Sequence, residues 1–175
     1  MFIIAGIALF IIIVGILIVA ATKPNTFRIE RSATIHTTPT KLFAYINDLS
    51  KWQEWSPWEK LDRNVQRTLS GPAKGVGAAY AWEGNRKVGM GRMEIMESKG
   101  SSKIVMKLEF FKPFKASNTA EFTLAKKGES TEIIWVMFGP QRYSMKVMGM
   151  LMDCDAMVGK QFAEGLTNLK ALVEK

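Results

Sequence analysis

Residues 103–138 read KIVMKLEFFKPFKASNTAEFTLAKKGESTEIIWVMF, and their period decides the fold. Ile104, Met106, Leu108 and Phe110 alternate with Lys103, Val105, Lys107 and Glu109, the two-residue repeat of a strand in a sheet. Ala120, Phe122 and Leu124 continue the apolar face beyond the break at Pro113. After the Lys127-Gly128 turn, Ile133, Trp135 and Met137 take one side of a strand while Ile134, Val136 and Phe138 take the other. Such spacing implies an antiparallel meander whose last strand is apolar on both faces.

Past Pro140 the period lengthens. Met148, Met152, Asp155, Gly159, Phe162, Leu166, Leu169 and Val173 are spaced alternately four and three apart, which predicts one continuous helix from about Ser144 to the C-terminus, with these residues on its inner stripe. Lys160 with Glu164, and Lys170 with Glu174, give its second half a solvated side.

Toward the N-terminus the turn signals continue with Gly71-Pro72, Gly75, Gly84-Asn85 and Lys99-Gly100, so about six strands are predicted between Val65 and Gly139. Gly84-Asn85, between YAW and KVGMG, marks a short hairpin. Phe27, Ile29, Ala33 and Ile35 alternate with charged and hydroxyl residues and predict a first strand. Thr38 followed by Pro39 supplies an N-cap and a first helical residue, and the stripe Leu42, Phe43, Ile46, Leu49 predicts a short helix to about Asn47. Trp52, Trp55 and Trp58, three residues apart with a break at Pro57, predict a second short helix and a loop. The glycines of GVGA and GMGR do not complete a nucleotide-binding fingerprint and are expected at bends of a strongly curved sheet.

Residues 1–22 carry no charged side chain, and the run IIAGIALFIIIVGILIVAA is apolar for about 20 residues, or roughly 30 Å of helix, the thickness of a hydrocarbon core. A cleaved signal peptide would carry a basic start and a shorter apolar stretch, so the expected organisation is a transmembrane helix over 1–22, a linker over 23–26 and one domain over 27–175. Lys23, Arg28 and Arg31 follow the helix and nothing basic precedes it, which places the N-terminus outside and the domain in the cytoplasm.

Composition narrows the chemistry. Cys154 is the only cysteine, which excludes an internal disulfide and any cysteine-based zinc cluster, and His36 is the only histidine, expected as plain surface at the end of the first strand. No metal or cofactor site is expected. The net charge of +8 is spread over the soluble part, without the basic stripe and interleaved aromatics of a nucleic-acid reader, and suits the anionic face of a bilayer.

The order strand, helix pair, six-strand meander and long C-terminal helix, with the motifs WSPW, GPAKGVGAAYAWEGN, GMGRMEI, TEIIW and GKQFAEGLTNLK, resembles the polyketide cyclase/dehydrase and lipid-transport family of the START-like (SRPBCC, Bet v 1-like) superfamily. The likeness covers about Phe27 to Lys175. It implies an α+β helix-grip fold, a curved antiparallel sheet wrapped around the C-terminal helix, with a hydrophobic cavity between them. Residues expected to line that cavity and touch a hydrophobic small molecule are Trp58, Trp82, Phe110, Trp135, Met148, Met152 and Asp155. The methionines offer flexible thioethers, the aromatics broad apolar faces, and Asp155 a carboxylate on the inward stripe. The leading expectation is a membrane-tethered binding module for a lipid, isoprenoid or aromatic molecule. An enzyme using Asp155, Glu83 or Tyr80 as acid or base, or an interaction protein with a filled core, are the alternatives.

Overall fold

The computed structural model of the chain describes residues 2–151 and 153–175. Met1, the first residue of the expected span, and Met152 lie outside the described residues. The alternating segments form seven strands: β1 (Thr26–Ile35), β2 (Gln66–Ser70), β3 (Ala79–Glu83), β4 (Met90–Lys99), β5 (Lys103–Lys112), β6 (Ala116–Lys127) and β7 (Ser130–Pro140). They make one antiparallel sheet in the order β1-β7-β6-β5-β4-β3-β2. Each strand from β2 to β6 pairs with its successor, and β1 closes the series along β7, with Thr26 opposite Pro140 and Ile35 opposite Thr131. The Gly84-Asn85 hairpin joins β3 to β4 through a longer loop than the sequence signal implies, because Asn85 Oδ1 accepts from Lys87 N at 2.8 Å and builds a local turn there.

Curvature comes from register shifts in the β4–β5 pair at Met90/Gly91 and Ile95/Glu97. Gly91 is where the sheet requires a missing side chain, since a Cβ there would fall on the Trp82 ring and 2.5 Å from the Glu109 carbonyl oxygen. The concave face carries the core, with Ile95, Ile104, Met106, Phe122 and Ile133 fully buried against Leu166 and Leu169.

The described residues also form the α-helices α1 (Phe2–Thr22), α2 (Pro39–Ile46), α3 (Trp52–Trp55), α4 (Tyr143–Leu151) and α5 (Cys154–Val173), with short 3-10 turns at Leu49–Lys51 and Pro57–Lys60. Thr38 caps α2 by accepting from Lys41 N, with Pro39 in the first turn as the sequence predicts. The single long helix expected from Ser144 is instead two. Asp153 leaves helical geometry at φ −74 and ψ 88 and caps α5, its side chain accepting from Ala156 N at 2.8 Å. α5 lies along β1 and buries Phe162, Leu166, Leu169 and Val173.

α4 packs on α1 rather than on the sheet. The Tyr143 hydroxyl donates to the Leu17 carbonyl at 2.7 Å. Lys146 is only 6% exposed, and its ammonium donates to the Lys23 carbonyl at 2.7 Å and to Asn25 Oδ1 at 2.6 Å, satisfying oxygens just past the C-terminal end of α1, where a helix favours a cation. Only Lys23, Pro24 and Asn25 separate α1 from β1. Ile4–Thr22 is long and apolar enough to cross a membrane by length and composition.

Candidate ligand-binding cavity

Between the concave face, the Trp-rich turn and the first half of α5 lies a cavity of about 280 Å³. Its floor is apolar and comes from alternate positions of the central strands: Tyr80 and Trp82, Met93, Met106 with Leu108 and Phe110, Ala120, then Trp135 and Met137. Trp52, Trp58, Val158 and Phe162 cover it, and Lys87, Val88, Lys112 and Pro113 stand at its edge.

Aromatic packing fixes the walls. Trp135 stacks on Phe162 with ring centroids 4.1 Å apart and planes within 5°. Trp58 meets Trp135 edge-on at 5.9 Å, and Trp82 meets Phe110 edge-on at 5.8 Å. Trp55 is fully buried behind them, 4.5 Å from Trp52 between centroids, so the tryptophan triplet both plugs the core and walls the cavity.

One corner is polar. The Tyr80 hydroxyl donates to Glu59 Oε1 at 2.8 Å, and Arg67 donates from Nε to Glu59 Oε2 at 2.8 Å, with its terminal nitrogen on the same oxygen. The Glu59 side chain is only 14% exposed, and both of its carboxylate oxygens accept hydrogen bonds, one from Tyr80 and the other from Arg67. Burial, then the hydrogen bond to Glu59, raises the Tyr80 phenol well above its ordinary range, so it keeps its proton. The bond to Glu59 likewise raises Arg67. Ser56 Oγ and Trp135 Nε1, on two residues of the wall, are buried without a hydrogen-bond partner among the described residues.

Of the residues singled out from sequence, Trp58, Trp82, Phe110 and Trp135 lie on the cavity wall. Met148 and Asp155 do not. Met148 rides on α4, which faces α1, and Met152 is outside the described residues. Asp155 is a correction, because α5 begins only at Cys154 and its first turn faces β1. The Asp155 carboxylate there pairs with Arg31 at 3.1 Å and is 59% exposed. Gly159, one turn on, leaves the space that the Arg31 guanidinium occupies. Glu83 is also at the surface, 3.7 Å from Lys112 Nζ. His36 is exposed, as expected. Sequence reasoning overlooked Glu59, Arg67 and Val158. The signal for Glu59 was a carboxylate directly after Trp58, in a turn that carries three tryptophans and Pro57.

A curved antiparallel sheet closed by a C-terminal helix over an apolar cavity defines a helix-grip protein of the Bet v 1-like class. Over residues 26–174 the chain matches the family described as polyketide cyclase / dehydrase and lipid transport, and it belongs to that family. No curated protein matches it in sequence. Among solved structures it is similar in fold to the di-domain ARO/CYC StfQ from the steffimycin biosynthetic pathway, at 14% identity and TM-score 0.64 over 85% of this chain and 51% of that one. Ginseng major latex-like protein 151 from Panax ginseng is similar at 13% identity and TM-score 0.61 over 86% and 99%. Protein CV1439 from Chromobacterium violaceum is similar at 16% identity and TM-score 0.61 over 87% and 99%.

Proposed function

We propose that this chain is a membrane-tethered binding module that holds a hydrophobic small molecule between the sheet and α5. The observation that carries this reading is the cavity of about 280 Å³, near the lower end of ordinary ligand pockets, with an apolar wall and a single polar corner. Trp58, Trp82, Phe110 and Trp135 supply the apolar contact, and Tyr80 supplies a hydrogen-bonding atom. Because the Tyr80 proton is committed to Glu59, its oxygen offers lone pairs to a ligand donor. The ligand is therefore an apolar body, of lipid, isoprenoid or aromatic kind, with one hydroxyl-like end. α1 is the tether, and the basic residues Lys23, Arg28 and Arg31 after it put the domain on the cytoplasmic side.

An acid–base enzyme has one observation in its favour, the Tyr80–Glu59 pair at the wall. Glu59 accepts from both Arg67 and Tyr80, and Tyr80 holds its proton more tightly than a free phenol, so the pair suits positioning better than proton transfer.

Native mass spectrometry of the full chain released from detergent, with extraction of co-purifying lipid, tests the reading directly. A bound apolar species of defined mass, displaced by an apolar fluorescent probe, is the expected result. A chain that carries nothing and binds no apolar probe overturns it.

A further inference from the structure

Strand direction places several unrelated features at one end of the sheet. Register sets Gln66 opposite Glu83, Glu83 opposite Met90, Met90 opposite Lys112, Phe110 opposite Ala116 and Pro140 opposite Thr26. The loop 84–89, the turn 111–115 and the start of β1 therefore share that end. The start of β1 is where α1 joins, so whatever holds α1 lies on that side of the domain.

The turn reads FKPFK. Phe114 is 65% exposed and Phe111 is 41% exposed, and neither lines the cavity. Lys112 and Pro113, between the two rings, stand at the cavity edge, as do Lys87 and Val88 of the neighbouring loop. Arg86, Lys87, Lys112 and Lys115 are exposed around this edge. The nearby acids are already engaged, Glu83 with Lys112 and Asp62 with the Asn85 backbone N–H at 2.7 Å. The bond from Tyr143 to the Leu17 carbonyl sets α4 beside the last turns of α1, roughly 8 Å before Thr22 at about 1.5 Å per residue. With Ile4–Thr22 in a bilayer, α4 and this end of the sheet sit in the interfacial layer, where aromatic rings and basic side chains are both favoured.

We infer that the cavity mouth is applied to the bilayer that holds α1. Phe111 and Phe114 enter the interfacial layer, and Arg86, Lys87, Lys112 and Lys115 meet anionic head groups. A ligand then passes between lipid and cavity without crossing bulk water. This rests on the reading of α1 as a tether and of the cavity as an apolar binding site.

The test uses the full chain in vesicles of neutral and anionic phospholipid, with Cys154→Ser and a single cysteine at either Phe114 or Glu129 carrying an environment-sensitive fluorophore. Glu129 lies in the β6–β7 turn, at the opposite end of the sheet. The label at 114 is expected to shift to the blue and be quenched by spin-labelled lipid, while the label at 129 stays in water. Equal behaviour at both positions overturns the docking. The double variant Phe111→Ser with Phe114→Ser is expected to slow transfer of an apolar probe from vesicle to protein at least tenfold, while leaving its affinity in detergent unchanged. An unchanged transfer rate overturns direct passage from the lipid. Failure of the chain to float with vesicles overturns tether and docking together. Failure of the probe to bind in detergent overturns the cavity reading alone, and the two labels still decide the docking.

Discussion

The Tyr80 hydroxyl and the Glu59 carboxylate share a proton-bearing contact of 2.8 Å at the cavity wall, with the phenol as donor. Its folded-state pKa lies above the ordinary 10.0, so its contribution to stability is whole below that value and is lost as pH rises through the folded-state pKa. Between about pH 9 and about pH 11 the native chain should lose more stability than Tyr80→Phe, as denaturant midpoints at the two pH values would record. At neutral pH the variant should lose about 1 kcal/mol, because Arg67 still satisfies Glu59. Parallel pH curves for the two proteins would refute the assignment.

Val158 is half-buried at the cover of the cavity, which makes it the position to fill. Val158→Trp should weaken an apolar probe at least about tenfold, or 1.4 kcal/mol, with stability changed by less than about 1 kcal/mol. In a packed interior the same change would overcrowd the site at a cost of about 1–3 kcal/mol and lower Tm. Probe titration and thermal melting on one variant separate the two.

Gly91→Ala should act in the opposite sense. The added methyl would collide with both the Trp82 ring and the Glu109 carbonyl, so either the indole or β4 must shift. A loss of about 1–3 kcal/mol by urea denaturation is expected, with altered probe affinity because Trp82 is part of the wall. Unchanged stability and affinity would mean the close approach is not maintained in solution.

Asp155→Asn removes a surface ion pair, and such pairs contribute less than about 1 kcal/mol. A small, salt-dependent loss of stability with probe affinity intact is the expected result. A tenfold fall in affinity would return Asp155 to the binding site.

The two periods in the chain made the sheet and the C-terminal helix legible, since burial of one face dictates a repeat of two in a strand and near 3.6 in a helix. The same reasoning failed at Asp153. An N-cap aspartate inside an otherwise regular apolar pattern leaves the spacing intact, so the repeat passed through the break and joined Met148 of α4 to a stripe that begins only in α5, where Asp155 sits in the first turn against Arg31 and short of the cavity. The wall residues Trp58, Trp82, Phe110 and Trp135 were readable because large apolar rings on a sheet face have few other places to go. The polar corner was not. Glu59 meets Arg67 and Tyr80 only through the placement of a short turn against β2 and β3, and no periodicity encodes that meeting.

Lys146 is 123 positions beyond Lys23, whose carbonyl it holds. A ribosome must therefore release all seven strands before Lys146 can lock the joint at Lys23–Asn25. The fold thus carries its own order of assembly, in which α1 is made first and its angle to the sheet is set last.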